Sequence, residues 1–301
     1  MNMKTKYIFL SVWAVLLALT MTSCDSFLNQ PPYDDFTDEE YWQNEDQART
    51  YMYGFYTSIF SGYGTGTSHG PFLMGQTLND DFASDVEQKD LTPLVVPETD
   101  GSWSFSNIRK ANYALASIER IDATPAAKNH WRGVARFFRA CYYSNLVFRY
   151  GDVPWYDRVP KLSDRKEDMD YLYKDRDPRA FVDSCIMADF QYAMDSVREN
   201  DGPMHINRYV VAAMASRFML REGTFLKYHN IDAHLAEQCL TMAKGAAEVV
   251  MKSNKYAIAP SYNALFTSED LGSNPEIIMH RHYVDGVLAH STLAYSYTEA
   301  Q

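Results

Sequence analysis

The sequence predicts a mainly α-helical protein, and three observations support that prediction. Apolar residues recur three and four positions apart along several segments, which is the period of an amphipathic helix. Most of these segments begin with a residue type that caps helix N-termini. Small residues cluster where paired helices would touch, which allows a close approach: Ala212, Ala213, Ala215, Ala243, Ala246 and Ala247.

Start and stop signals place the predicted helices along the chain. Asn44 and Gln47 form a capping box ahead of the first amphipathic run. The longest helix is expected to start after Thr124–Pro125 and to stop at Tyr150–Gly151. The other helices are expected along the apolar run from Ile108, after Asp177–Pro178, at Asn207 and at Asp232.

Helices of these lengths and connections favour antiparallel pairs, and their packing resembles that of tetratricopeptide-like solenoids. The chain shows no clear repeat of fixed period, so the repeats would be degenerate. Residues 61–101 contain a glycine-rich run and several prolines, which predicts a long irregular loop. After the last helix, Tyr262–Phe266 predicts a turn and Pro275–Met279 a short strand, so a few short strands complete the architecture.

The N-terminus has the pattern of a bacterial export signal. A short basic stretch precedes an apolar run from Ile8 to Leu19, which is too short to span a bilayer core of ~30 Å. Small residues then lead to Cys24, as in the lipobox of bacterial lipoproteins. We therefore expect a signal peptide over residues 1–23, a lipid on Cys24 and an extended tether over 24–36. The alternatives are a plain secretory signal and an anchor helix that is never cut.

The charge balance excludes some partners. Without that signal segment the chain carries 26 basic and 39 acidic side chains, a formal charge of −13, because the segment holds two lysines and no acid. An acidic balance argues against nucleic acid and against electrostatic binding to anionic lipid. The sequence contains no spacing typical of a nucleophilic, metallohydrolase or phosphate-binding motif, so no catalytic residue and no cofactor are assigned.

The cysteines and histidines favour structural roles. Cys141, Cys185 and Cys239 fall on apolar helical faces, which indicates buried thiols, with one disulfide among them as the alternative. His280 and His282 would share one face of a strand. A metal site needs further ligands, and none is evident in the sequence, so no metal is expected.

Two arginines lie on an otherwise apolar helical face. Arg136 and Arg139 are expected to bridge carboxylates such as Asp152 with their forked donors.

Several local strings occur in an order that points to one family. They are Asp25–Pro32, Thr37–Trp42, Ile108–Asn112, Arg132–Ala140 leading into Tyr150–Pro154, Asn207–Arg217 and Asn274–Ile278. Together they resemble the SusD/RagB family of outer-membrane, nutrient-binding lipoproteins. The most specific piece is the Ala-Arg-Phe-Phe-Arg-Ala run with the Tyr-Gly-Asp-Val-Pro that follows it.

The resemblance implies a fold, a location and a partner. It implies a tetratricopeptide-like helical protein at the surface of the outer membrane, lipid-anchored, which acts with a SusC-like TonB-dependent transporter. Such proteins bind glycan, or sometimes peptide, and catalyse nothing. Residues 37–260 would form the N-terminal helical domain, and 261–301 the start of a truncated C-terminal region. A lipid-anchored glycoside hydrolase and a peptide- or protein-binding helical-repeat adaptor are the competing functions.

One group of residues has the chemistry of a sugar site. An aromatic face packs against the C–H groups of a sugar, while amides and carboxylates bond its hydroxyl groups. The resemblance implies that Trp103, just ahead of a helix, contributes to a glycan platform, with Asn107 one turn further. The acids that would accompany them are Asp80, Asp81 and Asp85. The alternative is that Trp103 packs beneath the loop and that the acids form turns and caps.

Overall fold

The computed structural model describes residues 41–60, 101–160, 165–202, 204–284 and 286–287. The chain divides into two compact units, Met1–Tyr41 and Trp42–Gln301, and the helices described below belong to the second. The export signal and Cys24 lie outside the described residues, as do Asp80, Asp81 and Asp85.

Helices form the second unit, as the sequence predicts. In chain order they are α1 (Glu45–Ile59), α2 (Ser106–Ser117), α3 (Pro125–Tyr150), α4 (Lys166–Leu172), α5 (Arg179–Ser196), α6 (Arg208–Tyr228), α7 (Ala233–Met251) and α8 (Tyr262–Thr267). Within the described ranges no helix combines the length and the apolar character that crossing a bilayer requires.

The predicted caps are confirmed in atomic detail. The side chains of Asn44 and Gln47 each accept a hydrogen bond from the other's backbone N–H at 3.1 Å. Asn207 Oδ1 accepts from the N–H groups of Tyr209 and Val210, at 2.9 and 3.1 Å, and so starts α6. Gly151 ends α3 with φ of 72°, a backbone conformation that side chains with a Cβ rarely adopt.

The region after α7 differs from its prediction. The turn expected at Tyr262–Phe266 is the short helix α8, and no multi-residue strand occurs in the described residues, so the strand predicted at Pro275–Met279 is wrong. Asn274 is the reason. Its carbonyl oxygen accepts from the Ile277 N–H at 3.2 Å and its side chain from the Glu276 N–H at 3.0 Å, which turns the chain.

Helix pairs give the unit its core. The most extensive contacts join α6 to α7 and α3 to α5, and α2 also packs on α3. Phe138 of α3 is fully buried and stacks on Phe55 of α1, with ring centroids 5.0 Å apart. Small residues allow the close approach of α6 to α7: a Cβ at Gly223 would lie 2.7 Å from Leu240 Cγ. The pairing places the C-terminal end of α3 beside the start of α2, where the candidate site lies.

Cysteine packing fits the buried-thiol interpretation in two of three cases. Cys141 and Cys239 are buried, Cys185 is half-buried, and all three are free thiols. Burial raises the pKa of the Cys239 thiol to about 12, which keeps it protonated and unreactive at neutral pH.

Candidate functional site

Trp103 lies just ahead of α2 and is held by three neighbours while part of its surface stays open. Its ring stands perpendicular to Tyr150 at 4.9 Å and to Phe105 at 5.4 Å between centroids. The Arg176 guanidinium lies over the indole at 4.7 Å. The side chain is 36 % exposed. Trp103 is therefore both a packing residue and a surface residue, so the sequence alternatives are not mutually exclusive.

Asn107 lies in the first turn of α2 and is half-buried. Among the described residues its side chain forms no hydrogen bond, so its amide N–H groups and its oxygen are available to a ligand. The chain thus brings an indole and an unengaged amide to the same end of one helix.

The structure adds two tyrosines that sequence reasoning missed. The ring of Phe105 is perpendicular to that of Tyr156 at 5.5 Å, and Tyr156 meets Tyr171 at 5.5 Å. We name the set Trp103, Phe105, Tyr156 and Tyr171 the aromatic surface. A cavity of about 330 Å³ adjoins it, lined in part by Phe105, Tyr156 and Arg109. The sequence signal that could have identified Tyr156 is the aromatic pair Trp155–Tyr156. This pair directly follows Tyr150–Pro154, part of the most specific motif in the chain.

Backbone hydrogen bonds fix Tyr156 in this surface. Its carbonyl oxygen accepts from Asn112 Nδ2 at 2.7 Å, and its N–H donates to the Tyr143 hydroxyl at 2.6 Å. Its own hydroxyl donates to the Leu172 carbonyl at 2.9 Å, which connects the surface to the end of α4. Burial raises the pKa of Tyr156. The ring is accordingly held in one position, as a preformed binding surface requires.

Tyr171 is fixed by polar contacts. Its hydroxyl donates to Asp157 Oδ1 at 2.9 Å and accepts from the Asp157 N–H at 3.0 Å. The Arg158 guanidinium lies 4.0 Å from the centroid of its ring. Burial raises the pKa of Tyr171, so the hydroxyl stays protonated at neutral pH.

A buried ion pair is connected to the aromatic surface by hydrogen bonds. Arg139 donates Nε and Nη2 to the two oxygens of Asp189, at 2.7 and 2.8 Å, and Nη1 to Asn112 Oδ1 at 2.7 Å. Burial opposes the charge on Arg139, but the hydrogen bonds to Asp189 outweigh it and hold the arginine pKa above its usual value. Since Asn112 holds the carbonyl of Tyr156, the ion pair and the surface form one continuous network.

Arg139 bridges a carboxylate with its forked donors, as expected, but that carboxylate is Asp189, and the expected bridge to Asp152 is wrong. At about 1.5 Å per residue, roughly 17 Å of helix separates Arg139 from the end of α3, which is further than its side chain reaches. Asp152 instead accepts from the Arg179 backbone N–H at 2.8 Å, at the start of α5. Arg136 stacks on Tyr192 at 4.2 Å, and its Nη1 lies 3.8 Å from Asp189 Oδ1.

Chemically, the site offers flat apolar faces beside neutral and cationic hydrogen-bond donors. That combination suits a ligand with apolar C–H faces and many hydroxyl groups. Trp103 is part of the aromatic surface, and Asn107 lies in the first turn of the helix that follows Trp103.

Comparisons with known proteins point the same way. A family model described as SusD-like, "Starch-binding associating with outer membrane", matches residues 76–220, a range that includes the whole aromatic surface. A curated SusD-like protein of Formosa agariphila is 23 % identical over 233 residues, which cover 70 % of this chain and 45 % of that protein.

Solved structures show the same fold. A SusD-like carbohydrate-binding protein from Bacteroides fragilis superposes with a TM-score of 0.61 at 16 % identity, covering 83 % of this chain and 48 % of that one. Another SusD-like protein from Bacteroides fragilis gives a TM-score of 0.58 at 20 % identity, covering 85 % and 48 %. The chain therefore spans about half the length of the relatives that it matches.

Proposed function

We infer that this chain belongs to the SusD/RagB family, and on that premise we propose that it binds oligo- or polysaccharide nutrient at the aromatic surface. The carrying observation is Trp103, an indole that is anchored on two sides and still 36 % exposed. Arg176 covers one face of the indole, so a sugar ring would stack on the opposite face. Asn107 would bond the hydroxyl groups at the rim of that ring.

The loop acids extend the proposed site. Asp80, Asp81 and Asp85 fall within the range matched by the family model and would accept hydrogen bonds from sugar hydroxyls. The site is proposed as one of binding without catalysis.

We place the protein at the cell surface, anchored by lipid on Cys24 after removal of residues 1–23. The family description, which associates its members with the outer membrane, supports this location. The tether over 24–36 would leave the helical domain, residues 37–260, free to deliver glycan to a SusC-like TonB-dependent transporter. Residues 261–301 would begin the C-terminal region.

Affinity electrophoresis tests glycan binding. The purified chain is run through gels that contain starch and other polysaccharides, and at least one of them should retard it. Trp103→Ala should weaken that affinity by roughly two- to tenfold, because an aromatic contact contributes about 0.5–1.5 kcal/mol. Tyr228→Ala is the matched control, since Tyr228 is an aromatic residue that is 75 % exposed at the far end of α6.

Two outcomes would count against the proposal. Free migration of the wild-type chain in every polysaccharide gel would contradict glycan binding. Equal losses in Trp103→Ala and Tyr228→Ala would contradict the placement of the site. Release of shorter sugars from the same polysaccharides would instead favour the glycoside hydrolase.

A groove between α5 and α7 favours one second candidate, peptide binding. It has a volume of about 890 Å³, and its lining includes Met187, Met194 and Met242. Methionine side chains adapt to varied apolar partners. A peptide-binding adaptor would retain a peptide library on the immobilised chain and would be indifferent to polysaccharide.

A further inference from the structure

We propose that Asp270, His280 and His282 bind a divalent transition-metal ion of the zinc type. One ligand atom from each of these three side chains lies within 4.8 Å of the others. The two imidazole rings are 6.3 Å apart between centroids and nearly perpendicular, at 79°. This group lies beyond α8, away from the residues of the aromatic surface in the sequence, and is independent of the proposed glycan binding.

The fold after α8 assembles the three ligands from two segments. The turn at Asn274 reverses the chain, and the Ala257 N–H donates to the Pro275 carbonyl at 3.0 Å, which ties the turn to the segment that follows α7. The reversal brings Asp270 to His280 and His282, ten and twelve positions later in the chain. Sequence reasoning found the two histidines but not the carboxylate.

A second feature of this loop keeps the site open. The Gly272 N–H donates to Asp270 Oδ1 at 2.8 Å, which orients the carboxylate. A Cβ at position 272 would lie 3.1 Å from Asp270 Oδ1 and 3.7 Å from His280 Cε1. Gly272 therefore lies against both ligands, and the absence of its side chain leaves space beside them.

The donor set selects the class of ion. Imidazole nitrogen suits zinc, copper and nickel, whereas magnesium and calcium prefer all-oxygen ligands. Tetrahedral zinc with bonds of about 2.0–2.1 Å needs neighbouring ligand atoms roughly 3.3 Å apart. The three side chains are exposed or half-buried, so on binding an ion they would rotate to bring their donor atoms from within 4.8 Å to that separation. Water would complete the coordination.

Such an ion would join the loop after α8 to the segment around Arg281. A shared ion would fix both histidines to Asp270. The expected consequence is a local gain in order, because metal ligands that are held together cannot open independently.

Calorimetric titration with zinc chloride alone tests the site. The whole chain is used without a polyhistidine tag, after treatment with a chelator. One ion should bind per chain, and His280→Ala, His282→Ala and Asp270→Asn should each weaken binding by roughly tenfold or more. His234→Ala on α7 is the matched control, an exposed histidine outside the group, and should leave the affinity unchanged.

Trypsin gives a second readout at the site itself. Arg281 lies between the two histidines and is exposed, so cleavage after Arg281 should slow when zinc is added to the wild-type chain. It should not slow in His282→Ala, whose helical content is checked by circular dichroism. Absence of zinc binding by the wild-type chain would overturn the proposal, as would an equal loss of affinity in His234→Ala.

Discussion

Helix α5 carries two buried carboxylates that meet very different charge environments. Asp189 faces α3, where it meets Arg139. Asp183 faces α6, where it meets Glu222, and it also lies near Arg179, the first residue of α5 itself. Six positions separate the two aspartates, which puts them about 120° apart around the helix. Because α5 packs between α3 and α6, both directions lead into the protein.

On the α3 side of α5, each buried charge is paired with one of opposite sign. Both oxygens of Asp189 accept from Arg139, and the third arginine donor goes to Asn112. Each charge therefore has a partner of opposite sign and good hydrogen-bond geometry, the condition under which a buried pair is tolerated.

On the α6 side of α5, two buried carboxylates share one arginine. Arg179 Nε donates to Glu222 Oε1 at 2.5 Å but lies 3.9 Å from Asp183 Oδ2. Burial and the neighbouring Glu222 raise the pKa of Asp183 to about 8, against the opposing effect of Arg179. One arginine thus serves two carboxylates, and the second of them holds a proton at neutral pH. Asp183 and Asp189 are similarly buried, so the two sides of α5 differ in how many carboxylates share one arginine.

The largest expected effect comes from breaking the ion pair on the α3 side. Arg139→Met should cost about 3–5 kcal/mol of unfolding free energy, because it leaves Asp189 buried without its bidentate partner. Urea denaturation at neutral pH measures the loss. A cost below about 1 kcal/mol would show that water or Arg136 compensates and that the ion pair does not support the fold.

On the α6 side, we predict that removing the charge of Asp183 increases stability. Between pH about 4 and about 8 the folded state holds a proton on Asp183 that the unfolded chain has released. Stability from this group therefore falls as pH rises through that window. Asp183→Asn leaves Arg179 with Glu222 alone, so it should flatten the slope and raise stability at pH 8 by about 1 kcal/mol or more.

Urea denaturation at pH 5 and pH 8 tests this prediction. Asp195→Asn is the matched control, an exposed aspartate on the same helix whose oxygens accept from Gln191. It should leave the slope unchanged. Identical pH dependence in the wild-type chain and in Asp183→Asn would show that Asp183 is ionised in the folded protein.

The contrast also explains what could be predicted from the sequence. Caps such as Asn44 and Asn207 bond backbone groups two or three residues away, so the local sequence determines them. The starts of α1 and α6 could therefore be predicted. The partner of Arg139 lies 50 positions away, and the nearest conspicuous acid in the chain, Asp152, was the wrong one. A contact between residues so far apart in the sequence depends on which helices pack together. The spacing of neighbouring residues does not indicate that packing.

The same limit applied to the candidate sites. Trp103 and Asn107 could be proposed because the family resemblance pointed to a tryptophan just ahead of this helix and Asn107 follows one turn further. Tyr156 joins them only through Phe105 and through the bond from Asn112, a contact made 44 positions along the chain. Asp270 meets the two histidines only because Asn274 turns a segment that the residue pattern predicted to be extended.

The smallest expected effect comes from the same substitution at the surface. Arg132, on α3 like Arg139, donates Nε and Nη2 to the two oxygens of Glu119, both at 2.6 Å, but Glu119 is well exposed. Because water solvates both partners once the pair is broken, Arg132→Met should cost less than about 1 kcal/mol, and 1 M salt should reduce the difference further. Urea denaturation beside Arg139→Met compares two bidentate pairs of nearly equal geometry. Equal costs would show that hydrogen-bond geometry, and not burial of the carboxylate, sets the contribution of an arginine on this helix.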